Sequence, residues 1–251
     1  MGRFNIVMKY SAEVTNVMRE LTEAAKSRWE EVIISDFHDF EYDGKLYEGL
    51  EIAARVVPLK GGEGGKLAHG VGTVVNPYNL LPIIGYLEVD EADLSKLLND
   101  TEYFYHVILH EIGHVIGLDL ATWKWKNLIE EQDDRKFLIG EAAQREYGAL
   151  LNIPNRAVPL ETEGGADTVG QHIRELEFGS ELMTGFISAG INQLSRVTLG
   201  ILEDMGFEVD YNAADDYTFE ELDRKSRTLS HHGHICGRPN TEPIIPKIPI
   251  S

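Results

Sequence analysis

The stretch "HVILHEIGHVIGLDLATW", His106 to Trp123, decides how the rest of the chain is read. Within it His110, Glu111 and His114 spell H-E-x-x-H, and Gly117 follows three residues later. Residues four apart share one face of an α-helix, so two imidazoles can address one ion while Glu111 stands beside them, near enough to reach solvent on that ion. Most other positions from Val107 to Ile116 are apolar, which predicts a helix buried nearly all round. A buried histidine pair needs partners that offset its desolvation, and metal ligation supplies them. The competing explanation is coincidence, since so short a string also arises by chance.

A hydrolytic zinc site takes three protein ligands and keeps one position open. His106 lies one turn before His110 on the same face, but a third ligand from one straight helix sits too far along the axis to complete a tetrahedron, so a supporting or structural role is expected for it. Leu120 stands where one class of zinc protease places its third histidine. The remaining ligand must come from elsewhere, and Gly117 shows where the backbone can turn beneath the ion, because glycine tolerates the positive φ that ends a helix. His38 and His69 lie upstream in loop-like surroundings, His172 lies downstream, and His231, His232 and His234 sit in a polar tail. Spacing alone leaves that choice open.

Composition narrows the function classes. With 251 residues and 43% hydrophobic content the chain can bury a core as one large domain or two apposed lobes. Twenty-three basic against forty-two acidic residues give a formal charge of -19, which repels phosphate backbones and leaves no basic stripe, so nucleic acid is not an expected partner. No apolar run has the length of a membrane span, and "MGRFNIVMKY" has no signal-peptide pattern, so a soluble chain is expected, either intracellular or exported after loss of a signal. The single cysteine, Cys236, excludes an internal disulfide framework.

Phe4 to Tyr10 reads as a strand, and Val14 through Ile33 repeats apolar residues at helical spacing. Leu50, Ile52, Ala54 and Val56 alternate as a second strand, "PIIGYLEVD" is a third, and Asp100 can cap the helix that carries His110. The intervening "KGGEGGKLAHGVG" fails as a phosphate loop, since no glycine stands five residues before Gly65 and Leu67 follows Lys66, and it reads as a flexible loop. Ser195 to Met205 reads as a helix capped by Ser195, with Val197, Leu199, Ile201, Leu202 and Met205 as its apolar content and Gly206 as its exit.

Several segments in order, "GYLEVDEADL", "GEAAQREY", "VPLETEGGADT", "HIRELEFGSELMTG" and "SRVTLGILEDMGFEVDYNAADDY", together with the H-E-x-x-H-x-x-G helix, resemble the leishmanolysin family of metzincin zinc proteases over roughly Phe4 to Tyr217. In that family a long insertion separates the helix from the third histidine, and a methionine-bearing turn follows soon after. Ile173 departs from the aromatic residue that relatives often carry there. The resemblance implies His172 as the third ligand and Met183 as the methionine of the turn. Taken alone, Met183 reads as ordinary core packing. It implies an α+β, two-lobed catalytic domain over 1–217: an N-terminal lobe, 1–117, with a twisted mixed sheet and two helices, and an irregular C-terminal lobe, 118–217, with a closing helix. It also implies a cleft in which an extended substrate pairs with an edge strand, for which "IIGYLEV" is the local candidate.

These residues suit zinc-dependent hydrolysis of protein or peptide substrates around one catalytic Zn2+, with Glu111 as general base. Beyond the catalytic region, 218–251 is a polar, proline-rich tail whose "CGRPN" is similar to the cysteine-switch motif of matrix metalloprotease propeptides, C-G-x-P-D. Thiolate is a strong zinc ligand, so Cys236 is a candidate inhibitory ligand, although such propeptides precede the catalytic domain. A zinc-bearing binding module without catalysis is the alternative, and the presence of Glu111 argues against it.

Overall fold

The computed structural model describes residues 2–60, 62–187, 190–218 and 243–246. The expected first strand and helix are β1 (Ile6–Tyr10) and α1 (Asn16–Val32). Thr15 caps α1 by accepting the Met18 N–H at 3.1 Å, satisfying one of the donors a helix start leaves open. Met18, Ala25, Trp29 and Val32 recur at helical spacing and are fully buried. Burial of Met18 and Val32 contributes about 1.5–3 kcal/mol each, and this apolar face holds the helix in place.

Three further strands complete the main sheet: β2 (Leu50–Val57), β3 (Ala68–Val75) and β4 (Pro82–Asp90). The spatial order is β1-β2-β4-β3, with β1, β2 and β4 parallel and β3 antiparallel to β4. The sheet is therefore mixed, as expected, but two expectations fail. "IIGYLEV" is not an edge, because β4 is paired on both sides; the edge beside it is β3. The second half of the glycine-rich stretch is not a loop but β3 itself, and His69 is a strand residue. The physical reason is the helix behind β3: a β-carbon on Gly70 would lie 2.0 Å from the Glu111 carbonyl oxygen, and one on Gly72 would lie 3.3 Å from that of Val115. These glycines mark close approach to a helix rather than a turn.

After the short α2 (Leu94–Asn99) comes α3 (Thr101–Ile116), which carries the H-E-x-x-H string. Asp100 caps it as expected, accepting the Tyr103 N–H at 3.1 Å. Every residue from His106 to Ile116 is buried, because β3 and β4 cover one side of the helix and α1 the other. Trp29 Nε1–H donates to the Leu109 carbonyl at 2.9 Å, a side-chain bond that fixes α1 against α3. Gly117 ends α3 with φ 114°, as its position predicts.

The half that follows is more regular than expected. It holds α4 (Leu120–Trp125), an antiparallel sheet of β5 (Ile129–Gln132), β6 (Arg135–Leu138) and β7 (Val158–Pro159), then α5 (Glu141–Leu150), α6 (Glu175–Phe178) and the anticipated closing helix α7 (Arg196–Met205). Helix α5 has no capping side chain of its own. Instead Asp204, at the end of α7, accepts the Ala142 and Ala143 N–H groups at 2.9 and 2.8 Å. A cap delivered from sixty residues away leaves no local signature, so α5 is not legible from its own stretch of sequence, while 160–195 holds little regular structure beyond α6. The result is a mixed α+β chain in which, among the described residues, no helix is long and apolar enough to cross a membrane.

Candidate metal centre

His110 and His114 project from one face of α3, and His172 reaches them from a remote segment; all three are buried. Their ligand atoms lie within 4.8 Å of one another, the only such group of histidine, cysteine or acidic side chains among the described residues that could hold a metal ion. His114 Nε2 is 3.0 Å from His110 Nε2 and 3.1 Å from His172 Nε2.

The other ring nitrogens decide what those contacts are. Nδ1 of His110 meets the Leu182 carbonyl at 2.7 Å, Nδ1 of His114 the Leu118 carbonyl at 2.7 Å, and Nδ1 of His172 the Thr168 carbonyl at 3.1 Å. A carbonyl only accepts, so each Nδ1 holds the proton of its neutral ring and each Nε2 presents a lone pair. Three lone pairs converging without a proton among them repel unless a cation lies between. Tetrahedral zinc with bonds of about 2.0–2.1 Å places its nitrogens about 3.3 Å apart, so the cluster fits that ion with an expansion of a few tenths of an ångström. Burial lowers the His110 pKa to about 3, with the neighbouring His172 adding to the shift and the Leu182 carbonyl opposing it. Burial likewise lowers His172 to about 4 against the Thr168 carbonyl. Both rings are thus held neutral, the state that ligates metal.

Two carboxylates that sequence reasoning missed hold this arrangement. Glu161 accepts the N–H groups of Thr162 at 2.7 Å and Glu163 at 3.0 Å through Oε1, and that of Glu175 at 2.9 Å through Oε2, while its own N–H donates to the His172 carbonyl at 2.9 Å. It therefore ties down the backbone before, at and after His172. Glu181 is fully buried and accepts the Met183 N–H at 2.5 Å, the Ser195 hydroxyl at 2.8 Å and the Thr198 hydroxyl at 2.5 Å. Both stand inside segments whose resemblance was noted, but an acidic residue in a polar stretch carries no sign of burial.

Met183 lies in the tight turn that Glu181 pins. A β-carbon on Gly113 would come within 2.9 Å of its sulfur, so the side chain packs against α3 between His110 and His114. Leu182, just before it, supplies the carbonyl that holds His110. Glu111 is buried beside the histidines, and its Oε2 accepts the Gly70 N–H at 2.6 Å, which fixes the carboxylate against β3.

The other histidines lie apart. His106 is buried edge-on to Tyr105. His69 faces Glu88 on the adjacent strand at 2.9 Å. His38 lines a separate cavity of about 420 Å³ with Phe37, Lys126 and Phe207. His231, His232, His234 and Cys236 lie outside the described residues.

Comparison with known proteins gives concordant results. The family model described as leishmanolysin matches residues 52–222. A leishmanolysin of Leishmania chagasi is 23% identical over 146 residues, covering 53% of this chain and 23% of that protein. One of Leishmania donovani is 22% identical over 147 residues, covering 54% of this chain and 24% of that protein. The aligned part thus spans about a quarter of the length of these curated relatives. The family match takes in the H-E-x-x-H helix, His172 and the Met183 turn, and by it the chain belongs to the leishmanolysin family of zinc-dependent metalloproteases.

Proposed function

We propose that this chain is a zinc-dependent endopeptidase that cleaves extended protein or peptide substrates, with His110, His114 and His172 as zinc ligands, Glu111 as general base and Met183 beneath the metal. The observation that carries this reading is the convergence of three Nε2 lone pairs, each ring oriented by a backbone carbonyl on its far side. His110, His114 and His172 would hold zinc through three neutral imidazoles, and the ion would supply Lewis acidity toward solvent and a substrate carbonyl.

The protein's own groups account for the rest. The Gly70 N–H orients the Glu111 carboxylate through one oxygen, on the helix residue next to His110. From there it accepts a proton from attacking water and returns it to the departing amine. The edge of β3 turned away from β4 would offer backbone N–H and C=O groups along which an extended peptide can lie. In this reading residues 1–217 form a metzincin-like catalytic domain, with lobes 1–117 and 118–217 meeting at the metal, and 218–251 form an appended tail. Latency through Cys236 rests on the "CGRPN" motif; a Cys236→Ala chain with higher peptidase activity is the expected outcome, and equal rates remove that element.

The deciding experiment pairs metal content with turnover. Native mass spectrometry is expected to report one zinc for the unaltered protein and for Glu111→Gln, whereas cleavage of unfolded casein is expected from the unaltered protein alone and to stop on chelation. Zinc binding without cleavage by either form would establish the alternative, an inactive zinc-bearing module. Cleavage by zinc-loaded Glu111→Gln would overturn the role of Glu111.

A further inference from the structure

The outer side of β3, turned away from β4, carries two separate attachments. Near its start, the Gly70 N–H reaches Glu111. Near its end, the Val75 N–H donates to the Ile244 carbonyl at 3.1 Å and the Ile244 N–H donates to the Thr73 carbonyl at 2.7 Å. Val74 and Ile244 are thereby a parallel bridge pair, and Ile244 belongs to the described segment Pro243–Pro246.

The sequence of that segment, P-I-I-P, suits a short strand and no more. Proline fixes its own φ, and Ile245, which precedes Pro246, is biased to extended backbone, so little conformational freedom is lost on docking. The prolines lack N–H groups, so pairing cannot extend through them. The side chains of Ile244 and Ile245 remain 56% and 45% exposed, so two backbone hydrogen bonds carry the contact rather than apolar burial. Such a contact is specific in register and weak enough to be displaced.

We propose that Pro243–Pro246 is a self-supplied extended segment, bridged through Ile244 to the outer edge of β3, that competes with extended peptides for that edge. The docking stands on its own geometry; that the competitor is a substrate rests on the peptidase reading. From Gly70 to Val75 the edge runs about 17 Å at the usual strand rise. A peptide that passes Glu111 and continues to the end of β3 needs the Thr73 carbonyl and Val75 N–H that Ile244 holds. A peptide that stops short of Thr73 does not. The segment therefore discriminates against long substrates without touching the metal centre.

The test uses the whole chain with Ile244→Pro, which deletes the donated N–H, and Ile244→Ala, which keeps both backbone bonds. Hydrogen exchange at the Val75 amide is expected to quicken about three- to tenfold in Ile244→Pro and to stay unchanged in Ile244→Ala. A segment docked about 70–90% of the time raises the apparent KM about three- to tenfold, so Ile244→Pro is expected to lower KM for unfolded casein by that factor with kcat unchanged. Peptides too short to reach Thr73 are expected to show no difference. Equal Val75 exchange in Ile244→Pro and the unaltered chain overturns the docking. Altered exchange with unchanged KM overturns the competition. If no form cleaves casein, the peptidase reading fails separately, and anisotropy of fluorescein-labelled casein then reads the competition: equal affinity for both forms overturns it, and tighter binding by Ile244→Pro supports it.

Discussion

Gly70 and Glu111 meet twice: the Gly70 N–H donates to the Glu111 carboxylate at 2.6 Å, and a β-carbon on Gly70 would stand 2.0 Å from the Glu111 carbonyl oxygen. Strand and helix are pressed together at the residue proposed to move the proton. Replacing Gly70 with Ala must push β3 away from α3 or shift the helix backbone. Overpacking of this kind costs about 1–3 kcal/mol, and contact with backbone rather than a mobile side chain puts this site at the upper end. Gly70→Ala is expected to lower the urea midpoint and slow peptide cleavage together. Unchanged stability would show that the strand can yield there.

The same pair explains what could be read from the sequence and what could not. The first strand, α1, the alternation of Leu50, Ile52 and Ala54, and both ends of α3 were legible because period and capping are local. So was the closing helix, with Ser195 accepting the Thr198 N–H and Gly206 at φ 102°. The edge strand was not, because glycines that admit a neighbouring helix look like glycines that make a loop. Helix α5 was not, because its cap comes from Asp204. At the candidate metal centre His110, Glu111 and His114 are legible from spacing, whereas His172 is distinguishable from His38 and His69 only through resemblance. Glu161 and Glu181 had no local signal, since what matters is which backbone N–H groups they meet after folding.

Glu181 is expected to be worth more than its size suggests. Its carboxylate joins the Met183 backbone to Ser195 and Thr198 at the start of α7, and all its partners are donors. Glu181→Ala strands these buried groups, a loss of about 3–5 kcal/mol by analogy with breaking a buried charged network. The turn also supplies the Leu182 carbonyl that orients His110. Zinc affinity, read by competition with a chromophoric chelator on protein that remains folded, is therefore expected to fall about 10–100-fold, the usual effect of losing a partner that orients a ligand. A variant that loses stability but keeps full zinc affinity would confine Glu181 to holding the fold.

The choice among histidines can be made by metal content alone. His172→Ala is expected to lose stoichiometric zinc, whereas His38→Ala, at the separate cavity, and His69→Ala, beside Glu88, are expected to retain it. Native mass spectrometry reads all three. Full zinc retention in His172→Ala would break the proposed ligand set.

Acid should destabilise the metal-free protein through the same rings. Burial holds His110 at about 3 and His172 at about 4, whereas an unfolded histidine titrates near its ordinary value of about 6.5. Between those values the unfolded chain binds protons that the folded chain refuses, so this contribution to stability is complete above about pH 6.5 and declines as pH falls toward the folded values. One histidine contributes up to about 1.4 kcal/mol per pH unit within that window. Glu181 acts in the opposite sense, because burial raises its pKa, but it is common to any pair of variants that differ only at 172. Urea unfolding of chelator-treated protein from pH 7.5 to 4.5 is therefore expected to show a shallower loss for His172→Asn than for the unaltered chain. The gap should reach about 2–3 kcal/mol between pH 6.5 and 4.5. With zinc bound the decline should steepen, since protons then compete with the metal for the same nitrogens. Parallel slopes for the two metal-free proteins would mean that His172 takes up its proton in the folded state as readily as in the unfolded one, and the neutral, lone-pair-inward cluster would not stand.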